Sequence, residues 1–442
     1  MNELEKLLAK KAVESEGDRL LLFEKRWKTY EGAVDDALKV EAGKANDNVK
    51  LNDARIIVDK GVSFLFGKDV SFDLVEGKKT PEEEYLDEVW FENSKVTTLQ
   101  KLALNGAVYG TAFLKIKRVP GGLPRLIVID PTTISVKLAE DDIDYVESYT
   151  IRYPSIDPVT ERPVTIRQEF ERNGSGWVIT DKRGYMDSAN LEVVNREVWN
   201  YDFSPIVHCQ NIVNPNVFWG RSDLEDDVIG AIMAKNFVIS NMMKILRYHG
   251  HPKTWTKGVN SADELKSNTD EVIMLQSPNA EIGLLEMQND LGLSLQVWQE
   301  LKDHIHELAR VPEVSTGKVE SVGQLSGIAL EILYQPLLEL TESKRNTYGE
   351  LITETNRRLL AINGMGDRHI TKLNWQSLLP KDVQVQANAA LTQKQLGVST
   401  DTLLQKLGYD PDLERDKRER ESESLGSALL RKFDSGETNN ID

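Results

Sequence analysis

Cysteine is almost absent: Cys209 is the only one in 442 residues. No intrachain disulfide can form and no thiolate metal cluster can be built, so a reducing compartment is the simplest reading. Nucleotide-binding signatures are absent too. The closest fragment to a P-loop, Thr316-Gly317-Lys318-Val319, lacks the upstream glycine at the required offset and the hydroxyl after lysine that would hold magnesium. There is no GxGxxG, and Gly323-Gln324-Leu325-Ser326-Gly327 is not GxSxG because the serine falls one place late. Ser326 is read instead as the N-cap of the helix that follows. The longest uncharged apolar runs, around Val228 to Ala234 and Asn236 to Met243, fall short of the roughly 20 residues that span a bilayer. Met1 to Gly17 mixes Leu4, Leu7 and Leu8 with charges and has no apolar core of a signal peptide, which predicts a cytoplasmic origin and no membrane partner.

Positive charge is in deficit. With 54 Lys+Arg against 71 Asp+Glu the net charge is −17, which argues against a general binder of nucleic acid or anionic membranes. It allows a protein that DNA merely passes, since a tight grip on phosphates would hold the DNA back. One window runs against the trend. Residues 228–262 contain no Asp or Glu, while Lys235, Lys244, Arg247, Lys253 and Lys257 are basic. Two readings stand: a buried helix that excludes acids anyway, or a positive end that meets DNA or an acidic partner.

At this length two to four domains are expected. A helix is predicted from Asn48 to Phe66, stopped by Gly67, and a second from Pro81 through Trp90 to Val108, with Glu82, Glu83 and Glu84 suiting its dipole. The period then changes to two. Ala112 to Val119 and Leu123 to Ile129 read as strands, as do Val146 to Tyr153, Val193 to Tyr201 and Ile206 to Cys209; Thr165 to Arg172 and Trp177 to Thr180 form a hairpin across Asn173-Gly174. From about residue 220 the chain turns helical. Leu224 to Arg247 is apolar nearly all round and needs cover on more than one side. Leu291, Leu295, Trp298, Leu301, Ile305 and Leu308 form a single stripe on a helix from Leu291 to Leu308. After a Gly/Ser-rich loop, Val314 to Gly327, a helix of roughly 50 Å continues to Ile362, bent at Pro336. Short helices follow at Thr402 to Leu407 and from Pro411 to Ser424, and the tail beyond Gly426 reads as disordered.

Candidate metal ligands are few. His304 and His306 lie two apart in a helix, on nearly opposite faces. His249 and His251 flank a turn before Pro252 and could bind a metal with a carboxylate from elsewhere, which defines an alternative reading: a metal-dependent hydrolase or nucleic-acid enzyme. Asp141, Asp142 and Asp144 could hold Ca²⁺ or form a solvated loop.

Several blocks in order resemble the portal proteins of tailed double-stranded-DNA bacteriophages, the large siphophage-type family. They are Asn52-Asp53-Ala54-Arg55-Ile56-Ile57-Val58-Asp59, Phe64-Leu65-Phe66-Gly67-Lys68-Asp69-Val70, Ala107-Val108-Tyr109-Gly110-Thr111-Ala112-Phe113 and Ile129-Asp130-Pro131. Gly220-Arg221-Ser222-Asp223-Leu224, Leu325-Ser326-Gly327-Ile328-Ala329-Leu330 and the stretch from Gly397-Val398-Ser399 to Glu414 complete the match. The resemblance implies an α+β fold: an N-terminal helical arm (1–45), a mixed α/β wing (46–223), a stem helix (224–247), a small α/β clip (248–290), a second stem helix (291–310), a tunnel loop (311–326), a long kinked helix with a wing return (327–380), a helical crown (381–425) and a tail (426–442). It also implies a non-enzymatic ring, commonly of twelve subunits, at one capsid vertex of the virion, assembled in the host cytoplasm. Through it DNA is packaged and ejected. The implied partners are the terminase large-subunit ATPase, major capsid and scaffolding proteins and a head–tail adaptor, with no cofactor and no metal.

Within that resemblance Lys318 and Gln324 are expected to face DNA, Glu320 to repel it, and Gly317 and Gly323 to let the loop move. Lys244, Arg247, Lys253 and Lys257 would form the basic stem and clip. Val228, Ile232, Ile239, Met242, Leu246 and Trp298 would line the subunit interface.

Overall fold

The computed structural model describes residues 16–74, 79–185, 191–250, 253–257, 279, 281–285, 291–313, 327–366, 368–378, 390–406, 413–415, 417, 418 and 420. The chain divides into two compact units. One comprises Met1–Glu320 with Leu333–Gln376, the other Ser321–Ile332 with Ser377–Asp442.

The first unit opens with α1 (Glu16–Glu31) and α2 (Asp53–Phe66). Asn52 caps α2 by accepting from the Arg55 N–H at 3.0 Å, and the Gly67 N–H closes it on the Ser63 carbonyl at 2.8 Å. Strand β1 (Val70–Asp73) follows, then α3 (Pro81–Glu92), started by a capping box between Thr80 and Glu83 with Pro81 in the first turn. The single helix expected from Pro81 to Val108 is two. Ser94 takes a left-handed φ of 50° and α4 (Lys95–Tyr109) begins afresh. The cause is Asn93, whose amide donates to the carbonyls of Val89 (2.7 Å) and Pro124 (2.9 Å) and accepts from the Leu126 N–H (2.8 Å), bonds a continuous helix would forgo.

Two antiparallel sheets come next. β2 (Thr111–Lys117) lies between β3 (Arg125–Ile129) and β9 (Ile206–Gln210), and β4 (Ile134–Leu138), β5 (Val146–Ile156), β6 (Pro163–Asn173), β7 (Gly176–Tyr185) and β8 (Glu192–Trp199) form a meander in sequence order. Helix α5 (Asp226–Gly250) leads to a two-stranded insert, β10 (Lys253–Lys257) with β11 (Glu281–Leu285), and α6 (Leu291–Leu308) returns to pack on α5. Helix α7 (Gly327–Ile362), with Pro336 inside it, begins in the second unit and runs into the first, and β12 (Lys372–Trp375) pairs with β1. In the second unit residues 390–395 are helical and α8 (Thr400–Lys406) starts at Ser399, whose hydroxyl accepts from the Thr402 N–H at 3.2 Å.

The first unit holds three apolar clusters. One joins α2, α3, α4 and β2 to α7 through Trp90, Leu102, Leu114, Tyr348 and Leu359. A second centres on Phe23, Val108, Val228, Ile232 and Ile305. The third lies under the five-stranded sheet, with Phe113, Phe170, Trp177 and Trp199. Two of the sequence blocks meet face to face. Gly110 has φ 93°, and a Cβ there would stand 2.2 Å from the Gly220 carbonyl, so neither glycine tolerates a side chain. Around them the Asp223 N–H donates to the Ala107 carbonyl and the Ser222 hydroxyl sits 2.8 Å from the carbonyls of both Ala107 and Val108.

Candidate assembly and channel elements

Helix α5 is apolar on most faces, yet its packing within the chain is one-sided. Val228, Ile232 and Met242 are buried in the subunit's own core, which corrects their expected place at a subunit interface: a side chain already covered has no apolar area left to offer a neighbour. Ile239 and Trp298 are half-buried and Leu246 is exposed. The open apolar positions of α5 are Met233, Phe237, Met243 and Leu246, and α6 adds Leu293, Leu295 and Val297. Of the α6 stripe read from the sequence only Ile305 is fully buried.

The basic window is partly cancelled by acids distant in sequence. Lys235, 1% exposed, ion-pairs with Asp53 and lies 5.6 Å from the Trp298 ring centroid. Arg247 meets Asp47 at 2.6 Å, and Lys257 meets Glu281 at 3.3 Å across the β10–β11 pair. Lys244 is exposed. The side chain of Lys253 and the loop residues Gly317, Lys318, Glu320, Gly323 and Gln324 lie outside the described residues, as does the cap expected at Ser326.

By length and by a mean hydropathy of 1.2 over an 18-residue window, α5 reaches the range of a membrane span, further than its uncharged runs imply. Its polar side chains are used inside the protein. Besides Lys235, Asn236 accepts from the Leu51 N–H at 3.1 Å and the Ser240 hydroxyl accepts from the Val49 N–H at 2.9 Å. These bonds mark a helix packed into the protein's own core.

The histidines have local roles. His304 pairs with Glu307 at 3.1 Å and His306 Nδ1 meets the Val311 carbonyl at 2.9 Å. His249 is exposed, His251 lies outside the described residues, and among the described residues no three His, Cys, Asp or Glu side chains group as a metal site. Asp142 accepts from the Asp144 N–H at 2.9 Å, so the Asp141–Asp144 segment is a hydrogen-bonded turn.

The sequence reading missed a polar hub between α5 and α7. Lys344 Nζ reaches both oxygens of Asp223 at 2.7 and 2.6 Å, and both side chains are almost wholly buried. Asn211 donates to Asp223 at 3.0 Å and accepts from the Tyr348 hydroxyl at 3.2 Å. Burial pushes the Tyr348 hydroxyl pKa well up. Asp223 lies in one of the quoted blocks, but nothing local marks its partner 121 residues away. Nearby, the Arg358 guanidinium donates to the Ser204 and Ile206 carbonyls at 2.7 and 2.8 Å, fixing α7 to β9. His208, beside Phe218 at 4.6 Å between centroids, has its pKa pushed down to about 4 by burial and then by Arg358.

Long paired helices, a small β insert between them and two antiparallel sheets define an α+β protein. Residues 14–425 match the family described as phage portal protein, SPP1 Gp6-like, and the chain belongs to that family. No curated protein matches the chain. Portal proteins are in general structural rather than enzymatic, and membership implies an oligomeric ring associated with the capsid vertex of the virion.

Proposed function

We propose that this portal protein forms a ring, commonly of twelve subunits, through which double-stranded DNA is packaged and later ejected. In this reading α5 and α6 are the stem, residues 248–290 carrying β10 and β11 are the clip, and residues 311–326 are the tunnel loop at the narrowest part of the channel. The observation that carries it is the pair of helices leaving and returning around a β insert, in a chain matched to the family over 14–425. Translocation is then driven by a separate ATPase, the terminase large subunit, which docks on the ring, followed by head–tail connector proteins. Lys318 and Gln324 face the DNA and Glu320 repels it.

The chain's acidity suits a conduit, because each phosphate neutralised adds affinity that would retard transport. Much of the basic window is already paired internally, at Lys235, Arg247 and Lys257. The test is the native mass of the purified protein together with class averages of negatively stained particles. A closed ring with a central hole is expected. A compact monomer at every salt and protein concentration, and in the presence of scaffolding protein, would overturn the reading.

A further inference from the structure

A cavity of about 740 Å³ opens between α1, the end of α4 and the loop that follows β9. That volume lies within the roughly 300–1,000 Å³ of ligand pockets. Leu22, Phe23, Tyr109, Val217 and Trp219 give it apolar walls, and its charged side chains are Arg19, Arg26, Arg221 and Glu225. In a chain whose net charge is −17, a site with three guanidiniums and one carboxylate stands apart.

The walls are fixed by bonds within the subunit. Gln210 donates to the carbonyls of Val217 at 2.8 Å and Phe218 at 3.1 Å and accepts from the Asn214 N–H at 2.7 Å, so one side chain holds both ends of the loop. Asn216 makes the turn between them at a left-handed φ of 64°, a conformation asparagine tolerates. Arg19 and Arg26 are each 6% exposed. Arg19 donates to the Ile134 carbonyl at 3.2 Å and lies 4.0 Å over the Trp219 ring, and Arg26 donates to Glu225 at 2.8 Å. A site already ordered in this way loses little conformational entropy when a ligand enters.

Its charge does not balance. Glu225 answers Arg26, and Glu16, from outside the lining, meets Arg19 at 3.7 Å. Arg221 is exposed, and its guanidinium has no ion-pair or hydrogen-bond partner among the described residues. One guanidinium is therefore in surplus, on the solvent side of an apolar cavity. Its planar fork matches the paired oxygens of a carboxylate or a phosphate. We propose that this cavity binds a small monoanion, a single carboxylate or phosphate head on an apolar body, with the head on Arg221 and the body against Leu22, Val217 and Trp219. A single surplus charge in a concave site does not suit a polyanion such as duplex DNA. Every residue of the site belongs to one subunit, so the site goes beyond the ring reading and stands without it.

The probe is 8-anilinonaphthalene-1-sulfonate, an oxyanion on an aromatic body, and N-phenyl-1-naphthylamine is its uncharged counterpart. In fluorescence titrations of the full chain, Arg221→Gln should weaken the binding of the anionic dye roughly tenfold or more, because a charge-assisted bond is lost. Arg221→Lys keeps the charge and should recover part of that loss. Neither the uncharged dye nor the thermal midpoint should respond to Arg221→Gln, since the side chain is exposed and joins no other group of the described chain. Phenylacetate or phenyl phosphate at millimolar concentration is expected to displace the anionic dye, and the stronger competitor identifies the head group. Superimposable anionic-dye titrations of wild type and Arg221→Gln would overturn the proposal. Equal weakening of both dyes, or failure of both competitors, would overturn it too. Ring formation is read separately from the native mass, so the two readings fail independently.

Discussion

Removing one partner of the Lys344–Asp223 pair should be among the most damaging polar changes available to the first unit. The two side chains are 4% and 6% exposed, and the ammonium reaches both carboxylate oxygens within 2.7 Å. Asp223→Asn leaves the ammonium buried against a neutral amide, and Lys344→Met leaves the carboxylate with Asn211 as its remaining described side-chain donor. Stranding one member of such a pair costs about 3–5 kcal/mol, most of it the desolvation of the ion left behind. The double variant Asp223→Asn/Lys344→Met strands no ion, so it should lie about 2–3 kcal/mol above the sum of the singles. Lys257→Ala is the control: its bridge to Glu281 is solvent-exposed on both sides and should contribute about 0–1 kcal/mol. Urea unfolding followed by tryptophan fluorescence measures all four, with a constant slope showing that the same unfolding is compared. Singles costing under about 1 kcal/mol, or an additive cycle, would refute the argument that this pair fastens α7 to the start of α5.

Other outcomes follow from the same physics. His208 is held neutral with a folded-state pKa of about 4, below its unfolded value near 6.5. Its contribution is therefore complete above pH 6.5 and is lost as pH falls toward 4, at most roughly 3 kcal/mol, and His208→Gln should flatten that part of the stability–pH curve; an unchanged slope would contradict the assignment. Phe237→Asp, at a half-exposed position, should leave monomer stability within about 0.5 kcal/mol while weakening ring assembly, whereas Ile232→Asp should unfold the subunit by several kcal/mol; sedimentation and thermal melts separate the two. Gly106→Ala places a Cβ 1.8 Å from the Tyr348 oxygen and should cost about 1–3 kcal/mol in thermal or urea unfolding, partly recovered in Gly106→Ala/Tyr348→Phe. Lys318→Ala should leave ring assembly intact and change the packaging of DNA; normal packaged length and rate would remove Lys318 from the mechanism.

What was legible in the sequence is what local periodicity carries. The bounds of α6, the C-terminal end of α2 and the ends of α7 follow from apolar spacing, Gly67 and the glycine-rich flank of α7, and the β6–β7 hairpin follows from its turn residues, whereas α2 starts at Asp53, after the Asn52 cap, and not at the expected Asn48. The break between α3 and α4 was hidden because Asn93 and Ser94 look tolerable in a helix until Pro124 and Leu126 offer Asn93 better bonds. β1 was missed for a related reason, since its partner β12 begins about 300 residues later. β4 is five residues with an irregular burial pattern and gives no clean alternation. Val228, Ile232 and Met242, expected at the subunit interface and found buried, failed differently. Hydrophobicity all round α5 states that every face needs cover, and only the tertiary structure tells which faces the subunit covers itself, Val228 and Ile232, and which it leaves open, Met233 and Phe237.

The charges of α5 and the β10–β11 insert bear on the proposed function. Read as a list, residues 228–262 form a basic band of five cations without an acid, and multiplied around a ring such a band would grip phosphates strongly. Folding brings Asp53, Asp47 and Glu281 to three of those cations, each from outside the window. The inward Lys235 is spent on fastening α5 to the start of α2, and the outward pairs lower the field that passing DNA would meet. A channel assembled from such stems would interact weakly with the duplex and release it readily. Among the described residues of that window Lys244 is exposed on α5, and under the proposed function its substitution should alter transport without altering the fold.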